Sequence, residues 1–154
     1  MINNSLSKFS LGAASFGNIY GILNQSKSIK LKEASEIIDL FLRNGGHQID
    51  TSNGYGNSEE MLGSILKDFK KDNLKITTKF IVTKNSRIDD IKFQIDNSYR
   101  IFGDKLYSVL CHTPDVISRD LSDIVLEAFE YIDKKYNLRK GLSIYSKSEI
   151  INLD

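Results

Sequence analysis

The sequence predicts an α/β fold in which short parallel strands alternate with amphipathic helices, and three observations carry that expectation. The spacing of apolar residues switches repeatedly along the chain between period two and a period near 3.6. A single proline and no low-complexity stretch leave no linker between segments. The 154 residues accommodate five strand–helix units at roughly 30 residues each, whereas a closed eight-stranded barrel needs about 200 to 250.

The elements follow in order. A first strand is expected over residues 9–15, then a helix whose Ala34, Ile37, Ile38 and Phe41 recur at the spacing of one buried face and which Gly45 and Gly46 stop. A second strand at 47–50 leads to a helix opening at Asn57 or Ser58. Glu59 and Glu60 sit in its electropositive first turn, and Met61, Leu62, Ile65, Leu66 and Phe69 face inward. Strands at 75–79 and 105–111 precede helices capped by Ser86 and Ser118. Their buried faces are Ile88, Ile91 and Ile95 in one, and Leu121, Ile124, Val125, Ala128 and Ile132 in the other. The fifth strand is expected at 140–145, and residues 1–154 read as one domain. If the five units derive from a barrel, the first and fifth strands lack neighbours, and their edges invite self-association or a complementing chain. A self-sufficient open five-stranded sheet is the alternative.

Charge narrows the partners. Lys and Arg total 21 against 20 Asp and Glu, with the signs interspersed, which points away from nucleic acid and anionic membranes and toward a small neutral substrate or a protein. No run reaches the ~18 apolar residues of a membrane span, and the opening Met1-Ile2-Asn3-Asn4-Ser5 is unlike a secretory signal, so the cytoplasm is the expected location. Cys111 is the lone cysteine, which excludes an internal disulfide or a paired-thiol metal motif.

In parallel α/β folds chemistry gathers at the carboxyl ends of strands. On the second strand Ile49 needs the helix layer, so Asp50 points the other way. On the third, Ile76 and Thr78 alternate with Thr77 and Lys79, so Lys79 can meet Asp50. On the fourth, His112 and Cys111 face opposite sides and form no nucleophile–base pair. Tyr55 lies five residues beyond Asp50 in a turn flanked by Gly54 and Gly56, free to fold back over the strand ends. A phenol, an ammonium, a carboxylate and an imidazole suit carbonyl reduction. Hydride arrival leaves an alkoxide to protonate, and a phenol with a pKa near about 10 needs a neighbouring cation to act as the acid. Lys79 would supply that cation, Asp50 would hold it, and His112 would orient the substrate oxygen.

The stretch Asp50-Thr51-Ser52-Asn53-Gly54-Tyr55-Gly56-Asn57-Ser58-Glu59-Glu60-Met61-Leu62-Gly63 resembles the signature of the aldo-keto reductases. Thr77-Thr78-Lys79 resembles that family's lysine strand, and Cys111-His112-Thr113-Pro114-Asp115 its histidine motif. Gly141-Leu142-Ser143-Ile144-Tyr145-Ser146 and Leu11-Gly12-Ala13-Ala14-Ser15-Phe16-Gly17 are similar to its fifth and first strand segments. The resemblance implies a partial TIM (β/α)8 barrel and a catalytic tetrad of Asp50, Tyr55, Lys79 and His112. It also implies cofactor contacts from Ala14, Ser15, Asp50 and Ser143, with NADPH as hydride donor, NADH possible, no metal, and an aldehyde or ketone as substrate. Residues 20–24 resemble members tied to sugar and polysaccharide pathways. Many members carry asparagine where Ile144 stands, and in the family strands six to eight hold most of the cofactor. A non-catalytic remnant or interaction module of the same fold is therefore the competing reading. By the plainest reading His47 packs at a strand start, Cys111 fills core space, and the charged runs at 67–72 and 133–135 are solvated helix ends.

Overall fold

The computed structural model describes residues 6–17, 29–67, 69, 73–112 and 119–145, for 119–121 the backbone alone. In chain order the elements are β1 (Ser10–Gly12), α1 (Ala14–Gly17), α2 (Leu31–Arg43), β2 (Gln48–Asp50), α3 (Ser58–Leu66), β3 (Lys75–Phe80), α4 (Ile88–Phe102), a 3-10 turn (Gly103–Lys105), β4 (Leu106–Cys111), α5 (Arg119–Tyr136) and β5 (Arg139–Leu142). The strands make a five-stranded sheet in the order β1-β2-β3-β4-β5, and the α/β alternation read from the sequence holds. By contact density the chain divides into two compact units, Met1–Thr77 and Thr78–Asp154, with the division inside β3. No described helix is long and apolar enough to cross a membrane.

In the first unit β1, β2 and the start of β3 run parallel, pairing Leu11 with Ile49 and Ile49 with Ile76. Ile49 and Ile76 are fully buried, as are Ala34 and Ile38 of α2 and Leu62 of α3. Ile37 and Met61, expected on the buried faces, are only half-buried. Helix α2 ends at Arg43 because Gly45, at φ +88, takes the left-handed conformation that stops it. Helix α3 stops at Leu66 and leaves Phe69 outside it, half-buried.

In the second unit Ile91 and Ile95 of α4, Val109 of β4, and Ala128 and Ile132 of α5 are fully buried, and Phe80 meets Phe129 edge-on at 6.2 Å. Ile88 and Ile124 are half-buried. Ser86 does not cap α4: its hydroxyl accepts the Thr83 N–H at 2.9 Å, Arg87 holds the cap position, and the Asp90 carboxylate accepts the Arg87 N–H at 3.1 Å. Asn137, at φ +51, ends α5 with its N–H shared between the Ile132 and Asp133 carbonyls. Strand β5 then runs parallel to β4, with Cys111 opposite Leu142.

The run at 133–135 is more than a solvated helix end, because Lys135 joins a clasp between α4 and α5. The Asp96 carboxylate accepts from Tyr131 at 2.7 Å, Tyr136 at 2.6 Å and Lys135 at 2.9 Å, while Tyr99 and Tyr136 stack at 4.3 Å. Burial raises the Asp96 carboxyl, but hydrogen bonds from Tyr136, Lys135 and Tyr131 and the Lys135 charge outweigh it and hold it below the ordinary value. Burial, with the Asp96 hydrogen bond next, pushes Tyr136 up to about 12. Lys140 also pairs with Asp133 across the turn into β5.

Every strand differs from expectation at one or both of its ends, most by a single residue. Residues 14 and 15 belong to α1, Lys105 lies in the 3-10 turn, and β5 ends before Ser143. The chain leaves β1 early because the Ala13 carbonyl accepts the Phe16 N–H, a helical turn that buries Phe16. Ser118, 20–24, 113–115 and Ser146 lie outside the described residues, as do the side chain of Leu121 and most of the 67–72 run.

Candidate active site

The first unit carries Ala14, Ser15, Asp50 and Tyr55. Asp50 ends β2 in register with Gly12 and Thr77, half-buried on the face opposite Ile49. The Ala13 N–H donates to the Asp50 carbonyl at 2.8 Å, which brings the start of α1, with Ala14 and Ser15, against the end of β2.

Tyr55 sits in the turn between β2 and α3, and that turn is closed locally. The Tyr55 N–H donates to the Ser52 carbonyl at 3.0 Å, the Ser58 N–H to the Tyr55 carbonyl at 3.1 Å, and the Gly54 N–H to the Ser52 hydroxyl at 3.0 Å. Its two ends are tied together in the interior. The Ser58 hydroxyl donates to the Ala13 carbonyl at 2.9 Å and lies 3.1 Å from the Thr51 hydroxyl. Ser58 has one hydroxyl proton and a carbonyl can only accept, so Thr51 is the donor and the chain runs Thr51 to Ser58 to Ala13. All three residues are fully buried. Gly17 closes the arrangement: a Cβ there would lie 1.9 Å from the Tyr55 carbonyl oxygen and 2.5 Å from the Ser58 nitrogen, so only glycine lets α1 approach the turn this closely.

The second unit carries Lys79, His112 and Ser143. Lys79 is 5% exposed near the end of β3. The His112 N–H donates to the Phe80 carbonyl at 2.9 Å, which puts His112 in register with Ile81, and the Ser143 N–H donates to the Cys111 carbonyl at 2.8 Å, which puts Ser143 in register with His112. Lys79 and Ile81 share a face by strand alternation, so Lys79, His112 and Ser143 lie on one face at the carboxyl ends of three consecutive strands. Cys111 is buried on the opposite face, as alternation requires. His47 is half-buried just before β2, its Nδ1 3.4 Å from the Gly45 carbonyl.

Sequence reasoning passed over two sets of residues that shape this region. Thr51, Ser58 and Gly17 bracket the Tyr55 turn, yet Ser58 reads in sequence as a helix cap. Gln94 reads as a polar position on α4, yet its side chain holds the peptide groups of Ile81. Among the described residues no group of three or more His, Cys, Asp or Glu side chains could hold a metal ion.

Comparison with known proteins agrees with this architecture. The model of the Aldo/keto reductase family matches residues 8–142. An aldo/keto reductase from Brucella melitensis superposes with a TM-score of 0.67 at 22% identity, covering 94% of this chain and 52% of its own. An aldo-keto reductase of the silkworm, Bombyx mori, superposes with a TM-score of 0.65 at 23% identity, covering 94% and 46%. An aldo-keto reductase solved complexed with NADPH gives a TM-score of 0.64 at 24% identity, covering 94% and 46%. No curated protein sequence matches. The chain spans about half the length of the solved structures it resembles, and its five strands with their flanking helices are a partial (β/α)8 barrel. With a family model matched from the approach to β1 through the end of β5, the chain belongs to the aldo/keto reductase family.

Proposed function

We propose that this chain serves an oxidoreductase that passes hydride between NADPH and an aldehyde or ketone, with Tyr55 protonating the carbonyl oxygen. The observation that carries the reading is the alignment of Lys79, His112 and Ser143 on one face at successive strand ends. Family membership and a relative solved with NADPH support it.

In this reading the donors that each unit carries suit the nicotinamide end of such a cofactor. The Ser143 hydroxyl and the Asp50 carboxylate are complementary to the carbonyl and N–H groups of a carboxamide, and Ala14 and Ser15 begin α1 beside the end of β2. When bound, NADPH, or NADH in its place, supplies the hydride. In this reading Tyr55 gives its phenolic proton to the oxygen as negative charge develops there. The Lys79 ammonium stabilises the phenolate left behind, Asp50 orients that ammonium, and His112 donates a hydrogen bond to the substrate oxygen.

A second reading, a non-catalytic interaction module of the same fold or one completed by another chain, draws on the edges that β1 and β5 form in the described sheet. Titrating NADPH while following its fluorescence, beside turnover of a generic aldehyde, separates the two. The reductase reading expects micromolar binding and a loss of at least about 10²-fold in kcat for Tyr55→Phe, the usual scale of a lost general acid. Unchanged turnover in Tyr55→Phe would sink it, and absent binding favours the module.

A further inference from the structure

The peptide unit joining Phe80 to Ile81 is held from both sides. Its carbonyl accepts the His112 N–H at 2.9 Å, and its N–H donates to the Gln94 Oε1 at 2.9 Å. The Gln94 Nε2 also donates to the Ile81 carbonyl at 3.1 Å. The side-chain amide of α4 therefore engages Ile81 as a neighbouring strand would, one residue past the end of β3. Hydrogen bonds in line through one peptide polarise each other, so the Gln94 contact strengthens the bond that positions His112.

Gln94 is well placed for this task. Ile91 and Ile95, on either side of it in sequence, are fully buried and fasten α4 without it, and the Ser98 hydroxyl donates to the Gln94 carbonyl at 3.1 Å. Ile81 lies two residues beyond Lys79 and in register with His112, so a shift of this peptide moves both side chains together.

Resting on the reductase reading, we infer that Gln94 is a positioning residue that sets Lys79 against His112 by clamping the Phe80–Ile81 peptide. It touches neither substrate nor cofactor and acts through the backbone.

The test uses the full chain, uniformly isotope-labelled. Gln94→Met keeps the length of the side chain and removes both hydrogen bonds, while Gln94→Glu keeps an acceptor for the Ile81 N–H and loses the donor. Amide exchange at Ile81 and His112 should quicken about tenfold in Gln94→Met, the equivalent of one hydrogen bond, and by less in Gln94→Glu. The Lys79 side-chain and His112 ring resonances should move in the same graded order. Where turnover is measured, kcat should fall with KM for cofactor unchanged. Resonances of Lys79 and His112 that stay in place while Ile81 exchange quickens would reduce Gln94 to a structural stitch and overturn the inference, as would unchanged exchange. Full turnover in Tyr55→Phe would overturn the reductase reading alone, since the resonance arm does not depend on turnover.

Discussion

Replacing Ser58 with alanine removes the middle of the buried chain that runs from the Thr51 hydroxyl through Ser58 to the Ala13 carbonyl. Two hydrogen bonds go, at 3.1 and 2.9 Å, each worth a net of about 0.5 to 1.5 kcal/mol in a folded interior. The Ala13 carbonyl keeps the Phe16 N–H at 3.0 Å, so it is not stripped of every partner and the loss stays short of the full desolvation penalty. The expected cost is therefore about 2 kcal/mol, or roughly 4 to 8 °C in Tm for a chain of this size. Urea denaturation followed by circular dichroism measures it, and Thr51→Val with the double variant completes a cycle. The cycle should return a coupling of about 0.5 to 1.5 kcal/mol between Thr51 and Ser58. A Ser58→Ala protein within about 0.5 kcal/mol of the parent, with no coupling to Thr51, would refute the directional chain and the account of how the Tyr55 turn is held.

Three further outcomes follow from the packing around Gly17 and from the Asp96 clasp. Gly17→Ala sets a Cβ 1.9 Å from the Tyr55 carbonyl oxygen, backbone rather than a yielding side-chain tip, so it should destabilise by more than about 1 kcal/mol and shift the Tyr55 ring resonance in labelled protein. An unmoved Tyr55 resonance would mean that α1 does not bear on the turn. The Asp96 clasp makes stability depend on pH at both extremes. The folded-state pKa of Asp96 is depressed, so its contribution is present above the unfolded value near about 3.9 and is lost as pH falls through the folded value; Asp96→Asn should flatten that acid limb of the urea midpoint. Tyr136 is raised to about 12, so its contribution holds below the unfolded value and disappears as pH climbs through about 12, a limb that Tyr136→Phe should remove.

Most of the architecture was legible in the chain because local periodicity reports which face of an element meets the core. Ala34, Ile38 and Phe41 mark the inner face of α2, and Ile91 and Ile95 that of α4, since burial repeats with the helical turn. Alternation on β4 likewise separated Cys111 from His112, with Cys111 buried as a core residue. The margins were less legible. Periodicity carries β1 through residue 15, but a tertiary hydroxyl from Ser58 and the N–H of Phe16 both converge on the Ala13 carbonyl and turn the chain into α1.

By itself the sequence determined the alternation of strands and helices, the residues at the strand ends and the family they resemble, because these depend on residue type and spacing within single elements. Tertiary structure alone decided how those strand ends, and the helices beside them, are held. The Thr51–Ser58–Ala13 chain spans 45 residues between Ala13 and Ser58, the Gln94 clamp reaches back 13 to Ile81, and the Asp96 clasp reaches 35 to Tyr131 and 40 to Tyr136. A polar side chain has no periodic signature for its partner, so which buried carbonyl or amide it satisfies is settled only when distant segments pack together.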